Sequence, residues 1–386
     1  MTGTRRPLGL VAGLILVLAM AAQTTCASAQ PLKHHARTQV ACGSSLRLPH
    51  APHPTHGKRA GAATGGLFGI SAGGNLQDEP PRLLAADVAA DRAAGANWLR
   101  FDVNWVEIQS QGPRRYDWRL TDRLVREAQR CGLHLLGTIL YTPAWARPPG
   151  TSATYGPAPA LYARFAAVAA RHLARMGVHA YEIWNEPNIQ AKWTPAPSIR
   201  AYTTLLKAAY VAIKGADPAA MVITGGTSPS LNAGRDIAPI DWLAGIYAHG
   251  GRAYFDAVGH HPYCFPAFPG DPKPWSSWYR MYAGRWNLRA VMIRHGDGDK
   301  RIWATEFGAP TAGPSGTHVS PARQAAMITR AYKLFARYPW AGPLFTYQGR
   351  DLGTDPSNYG DFFGLVSRSF RPKPSFRAYQ RIAAAL

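Results

Sequence analysis

The chain is short of acid. Of its 386 residues, 22 are Asp or Glu and 43 are Lys or Arg, which leaves a formal net charge of +21. A surplus of that size means either a solvated basic surface or an anionic partner such as nucleic acid, an acidic polymer or a charged envelope. Cysteine is scarce as well. Four residues are too few for a disulfide scaffold. No GxGxxG or GxxxxGK[ST] run is present, so the phosphate-cradling loop of a doubly wound nucleotide-binding sheet is missing. The absence of HExxH and CxxC gives no reason to expect a metal or any other cofactor. Beyond the first thirty residues no apolar run approaches the roughly 20 residues that a membrane span needs. What the chain does have is an ordinary globular composition, 46% hydrophobic, which excludes wholesale disorder.

Residues 1–29 read as an export signal: Arg5 and Arg6, an uncharged apolar run from Leu8 to Ala22, then the small-x-small pattern Ala27-Ser28-Ala29. Its removal predicts a secreted, extracellular or envelope-located protein that starts near Gln30 with a charge of +19. Export conflicts with nucleic-acid binding, and no recognition module for nucleic acid is present. Residues 30–62 form a basic His- and Pro-rich segment, with Lys33, Arg37, Arg47, Lys58 and Arg59 among five histidines and no acid before Asp78. It reads as a flexible tail with no fixed metal geometry.

From residue 63 to the end, short β-branched or aromatic runs alternate with amphipathic Ala/Leu/Arg-rich stretches. Strands are predicted at Leu67–Ser71, Trp98–Val103, Leu133–Leu140, Ala180–Asn185, Met221–Gly225, Ala257–His261, Ile302–Thr305 and Leu344–Gln348. Helices fall between them, among others Thr121–Arg130, Leu161–Met176, Ser198–Lys214, Pro321–Arg337 and Ser375–Ala385. Eight such units predict an α/β fold, a single (β/α)8 TIM barrel, whose chemistry belongs at the C-terminal ends of the strands. Those ends carry polar and aromatic groups, including Arg100, Tyr141, Asn185-Glu186, His261-Pro262-Tyr263, Glu306 and Tyr347-Gln348.

Two carboxylates stand out. Glu186 and Glu306 each end an apolar strand, and they lie 120 residues apart, three strand–helix units, on strands four and seven across the barrel mouth. A facing carboxylate pair suits glycosidic bond cleavage, since one group protonates the leaving oxygen while the other attacks or activates water. Trp184-Asn185-Glu186-Pro187-Asn188 after strand four and Thr305-Glu306-Phe307-Gly308 after strand seven resemble the retaining glycoside hydrolases of clan A. Family 39 and its cellulase-like relatives look nearest, and family 5 more distant. The resemblance spans the barrel. It implies that Glu186 is the acid/base, that Glu306 is the nucleophile, and that Asn185, Arg100, His261 and Tyr263 serve the sugar site. The substrate would then be a polysaccharide or oligosaccharide. The clan's strand-eight tryptophan is replaced here by Tyr347, and strand three leads into Tyr141-Thr142-Pro143-Ala144-Trp145. Tyr347 and Trp145 are the stacking candidates. Strict alternation sends Asn185 and Glu186 to opposite faces, so both reach the site only if the strand end is irregular. A dry pocket is expected to raise the pKa of Glu186.

Other residues compete for attention. Gly69-Ile70-Ser71-Ala72-Gly73 matches a serine esterase elbow, but Pro80-Pro81 follows where that motif needs a helix. Glu182 is expected to be a buried partner for an arginine, and His260 a structural histidine. Trp303, of opposite parity to Glu306, is expected to pack under the helices. A non-catalytic carbohydrate- or envelope-binding barrel is the reading from another class; its mark would be the loss of one glutamate, and both are present. Cys131 precedes strand three at the barrel bottom and Cys264 follows strand six at the top, too far apart to pair. If a bridge exists, Cys42–Cys131 is the expected pair, because the tail enters the barrel at its bottom.

Overall fold

The computed structural model describes residues 42, 66–74 and 76–386. The expected export signal, and the basic segment apart from Cys42, lie outside the described residues. Eight parallel strands close in sequence order. Strand β1 (Phe68–Ser71) is followed by α1 (Pro81–Ala94) and β2 (Trp98–Asn104), and then α2 (Trp105–Ile108) and α3 (Arg119–Arg130) lead to β3 (His134–Leu140). Next come α4 (Pro159–Ala174) and β4 (Ala180–Asn185), α5 (Ile199–Ala216) and β5 (Met221–Gly226), and α6 (Pro239–Ala248) and β6 (Ala257–His260). Helices α7 (Ser277–Tyr282) and α8 (Leu288–Arg294) precede β7 (Arg301–Phe307). Helix α9 (Pro321–Phe335) precedes β8 (Ala341–Tyr347), and α10 (Pro374–Ala385) ends the barrel. This is the predicted (β/α)8 barrel. No helix of the described residues is long and apolar enough to cross a membrane.

Local chemistry sets the helix starts. Proline occupies the first turn of α1, α4, α6, α9 and α10, where its missing N–H has no partner to lose. Pro81 therefore opens α1, ten residues after Ser71, so the serine does not sit on a strand-to-helix elbow. The Ser198 hydroxyl caps α5 by accepting from the Ala201 amide at 3.2 Å, and Ser320 caps α9 through the Arg323 amide at 3.2 Å. Gly95, at φ +104°, ends α1 in a left-handed turn that a side chain would strain.

The barrel interior is layered. The lower layer holds Trp98, Leu136, Ala180, Ile223, Ala257, Trp303 and Phe345, one from each strand from β2 to β8. Trp303 meets Trp98 edge-on at 5.2 Å and Phe345 in a stack at 6.3 Å. Each such ring contributes roughly 4–6 kcal/mol of apolar transfer. Trp303 thus lies inside the barrel and not under the helices. The parity expectation fails because β7 is irregular: its register against β8 shifts between Ile302 and Ala304, and again between Ala304 and Phe307. That slip lets Trp303, Thr305 and Glu306 all face the barrel axis.

A polar layer sits above the aromatic one. Glu182, fully buried, accepts from Arg100 Nε at 2.7 Å, Thr138 Oγ1 at 2.9 Å, Thr305 Oγ1 at 2.7 Å and the Gly226 amide at 3.0 Å. It is the arginine partner that its position suggested. Outside the barrel, His260 takes the predicted structural role. It is buried between Thr227 Oγ1 at 2.8 Å and Ser277 Oγ at 3.1 Å, and burial lowers its pKa to about 3. Cys42 and Cys131 form the expected disulfide, with Cα atoms 5.5 Å apart, and Cys264 is free and buried.

Candidate active site

Strand β4 ends in a backbone that alternation alone does not produce. Trp184 and Glu186 adopt φ +71° and +49°, left-handed conformations that cost a side chain of order 1–3 kcal/mol. The two twists turn the Trp184 indole outward, where its N–H donates to the Lys192 carbonyl at 2.8 Å. Asn185 and Glu186 are left in the mouth together. Asn188 holds the strained turn. Its side chain accepts from the Ser228 amide at 2.8 Å and donates to the Ser228 and Ile237 carbonyls at 3.1 and 2.9 Å. Of the five residues Trp184 to Asn188, two face the mouth and the others shape the backbone that puts them there.

Arg100, rising from β2, organises the site. Its Nη1 donates to Glu306 Oε1 at 2.9 Å and to Ser71 Oγ at 3.1 Å, its Nη2 donates to Asn185 Oδ1 at 2.7 Å, and its Nε is held by Glu182. Burial works against its charge, but Glu182 and Glu306 outweigh that and push its pKa further up. Tyr263 Oη donates to the other Glu306 oxygen at 2.9 Å. Glu306 thus accepts one donor on each oxygen, which suits a carboxylate anion. Ser71 is fully buried against Arg100, and no histidine is among its hydrogen-bond partners in the described residues, so the esterase reading has no base.

His261 lies between the glutamates, with Nδ1 3.1 Å from Glu186 Oε1 and 3.6 Å from Glu306 Oε2. An oxygen from each glutamate and a His261 nitrogen all fall within 4.8 Å of one another. Burial pushes the Glu186 carboxyl up. The His261 imidazole, the Lys192 charge and the Ser228 hydroxyl pull it down, and the pull prevails. The expected rise is therefore reversed in the free protein by a histidine placed at hydrogen-bond distance. His261 in turn sits above its ordinary value: burial lowers it, and Glu306 and Glu186 more than compensate. Two glycines keep this geometry open. A Cβ on Gly226 would stand 2.3 Å from His261 Nε2, and one on Gly308 2.2 Å from the Tyr347 carbonyl.

Tyr347 is buried beside these groups. Burial, then the charges of Glu306 and Glu186, push its hydroxyl up, and its ring meets Phe363 edge-on at 5.3 Å. Trp145 is half-buried and turned to Gln109, whose carbonyl accepts from its indole at 2.7 Å, with its ring against Trp105 at 5.8 Å. Three further residues belong to the mouth. Asp102, two residues beyond Arg100 on the same face of β2, has no hydrogen-bond partner among the described residues. Burial raises its pKa to about 7, Arg100 and Lys192 hold it down, and Glu107 and Glu306 push it up. Tyr141, at φ +67°, feels Asp102 and Glu186. Lys192 acts on both Asp102 and Glu186. The signal for Asp102 was in the sequence, as the next inward position after Arg100. Lys192 and Ser228 sit on loops and carried none.

Solved structures with the same fold include a family 39 glycoside hydrolase from Bacteroides cellulosilyticus (TM-score 0.64, 23% identity, 82% of this chain and 63% of that one). A monomeric β-xylosidase from Caulobacter crescentus gives a TM-score of 0.60 at 21% identity over 86% of this chain and 69% of that one. A β-amylase from Medicago sativa is 39% identical over 57 residues, which is 15% of this chain and 12% of that protein. The chain thus spans less than two thirds of the first of these structures and about an eighth of the amylase. The family model described as cellulase (glycosyl hydrolase family 5) matches residues 60–336, most of the barrel and both ends of the carboxylate pair. The chain belongs to glycosyl hydrolase family 5, in clan A.

Proposed function

We propose that the protein is an exported, retaining β-glycosidase that hydrolyses O-glycosidic bonds of a polysaccharide or oligosaccharide by double displacement. The observation that carries this reading is the glutamate pair across the mouth, with oxygens within 4.8 Å. A separation near 5 Å fits direct attack, whereas inversion needs a wider gap to admit water. Glu306, held by Arg100 and Tyr263, attacks the anomeric carbon, and the leaving oxygen takes its proton from Glu186. Water, deprotonated by Glu186, then releases the sugar from Glu306.

Glu186 and His261 hold one proton between them at 3.1 Å. In the free site the charged pair is favoured by Glu306, the largest influence raising His261. A sugar that fills the mouth removes water and favours the neutral pair, with the proton on Glu186 where the leaving oxygen can take it. Asn185 and Asp102 face the sugar hydroxyls, while Tyr347 and Trp145 offer rings. Arg100, engaged by four partners, acts through Glu306 and Asn185. The Cys42–Cys131 bridge supports export, because such bonds persist in oxidising compartments.

The test is incubation with a panel of β-linked glycans, with product anomers followed by NMR before mutarotation. A β-anomer as first product is expected, and Glu186→Gln and Glu306→Gln each lower kcat by about 10²–10⁴ or more. An α-anomer would overturn retention. Full turnover in both variants would remove the catalytic assignment, and no hydrolysis of any glycan, with binding intact, would point to a carbohydrate-binding barrel.

A further inference from the structure

The cationic surplus does not lie in the mouth, where Asp102, Glu107, Glu186 and Glu306 all act on the Tyr141 hydroxyl. It lies on the outer wall. Helices α4, α5, α9 and α10 contain no Asp or Glu. Between α9 and α10 runs an open groove of about 490 Å³, lined by small and apolar side chains and by Arg330, Lys333, Arg337 and Arg381. Arg330 is paired with Asp271 at 3.0 Å. Lys333, Arg337 and Arg381 are exposed and have no carboxylate partner among the described residues. A cation near a helix C-terminus is favourable by itself, but three unpaired cations facing one concavity repel each other. No Asp or Glu precedes Asp78 in the sequence.

We propose that the α9–α10 groove is a binding site for a linear anionic polysaccharide, separate from the catalytic mouth. Two observations narrow the occupant to that class. The groove lies between two helices, so it admits a thin extended chain to its floor, whereas a flat bilayer would rest on the ridges. No aromatic side chain lines it, so it lacks the stacking platforms that single-stranded nucleic acids use. Arginine forks and a lysine suit carboxylate groups spaced along a sugar chain. The helices of a (β/α)8 barrel run back from the strand ends, so Lys333, Arg337 and Arg381, late in or just past their helices, lie at the end away from Glu186 and Glu306. Binding there anchors the protein while leaving the mouth free, and it does not depend on the glycosidase reading.

The experiment measures binding of the full chain to polygalacturonate at rising NaCl, a readout that needs no turnover. Lys333→Gln/Arg337→Gln/Arg381→Gln is compared with an equal charge removal on and just past α4, Arg164→Gln/Arg171→Gln/Arg175→Gln, with thermal melts confirming that both fold. The groove variant is expected to bind about tenfold more weakly with a shallower salt dependence, and the α4 variant to bind as the parent does. Equal weakening in both variants would mean diffuse charge and would overturn the site, as would undiminished binding in the groove variant. Duplex DNA or phosphatidylglycerol vesicles losing affinity in the groove variant as much as polygalacturonate does would overturn the assignment to a polysaccharide.

Discussion

Arg100 connects the stability of the barrel to its chemistry, and replacing it by methionine separates the two. Glu182, its partner at 2.7 Å, is fully buried. Without Arg100 it keeps two threonine hydroxyls and one amide but loses its counter-charge. Breaking a buried pair from one side costs about 3–5 kcal/mol. At about 2 °C per kcal/mol for a barrel of this size, Arg100→Met should melt roughly 6–10 °C below the parent. Adding Glu182→Gln removes the stranded charge while keeping acceptors for Gly226 and Thr305, so the double variant should recover most of that loss. Its turnover should not recover, because Glu306 and Asn185 still lack the guanidinium that holds them at 2.9 and 2.7 Å. Differential scanning calorimetry and kcat on a responsive glycan read the two effects separately. A single variant melting within about 2 °C of the parent, or a double variant regaining kcat, would refute the reasoning.

Asp102→Asn is expected to lower kcat/KM by about ten- to a hundredfold if its carboxylate accepts from a sugar hydroxyl. With its pKa at about 7, the parent's pH profile should rise through neutrality as this group ionises, and the variant should lose that limb. His260, its pKa lowered to about 3 by burial, stays neutral in the fold while the unfolded chain takes up a proton below about pH 6.5. Its contribution to stability is complete above 6.5 and is lost as pH falls toward 3. His260→Gln should therefore flatten the fall in melting temperature between pH 6 and pH 4. Reduction of the Cys42–Cys131 bridge, which closes 89 residues, should cost about 2–4 kcal/mol. Unchanged melting with and without reductant would show that the bridge carries no stability.

The barrel was legible because each strand is a short apolar run and all helices but α3 carry a proline or a capping side chain at their start. The pair Glu186 and Glu306 was legible from the motifs around them and from their spacing in whole strand–helix units. Parity was the weak instrument. It succeeded for Glu182 and His260 on regular stretches. At Asn185 and Glu186 it announced a conflict that two positive φ angles resolve. At Trp303 it misled, because the slip in β7 turns on register against β8, a non-local property that β7 does not encode alone. The fall in the Glu186 pKa was equally hidden, since it depends on a 3.1 Å contact with His261 from a strand 75 residues away. Lys192 and Ser228 reach the site from loops, where no periodicity points anywhere.

The shortage of acid is then a matter of placement. The barrel directs the N-terminal ends of its helices, with their partial positive charge, toward the mouth, and their negative ends toward the opposite rim. Glu186, Glu306 and Asp102 occupy the first of these regions, with Arg100, Lys192 and the His261 imidazole beside them. Lys333, Arg337 and Arg381 occupy the second. In the dry interior the pull of Arg100 on the carboxylates is weakly screened, whereas exposed charges on the outer wall are screened beyond about 8–10 Å of salt solution. The outer charge can therefore act on an external polymer only at contact distance. Where that charge faces a groove it can select a ligand; spread evenly over the wall, it would do little beyond keeping the protein soluble.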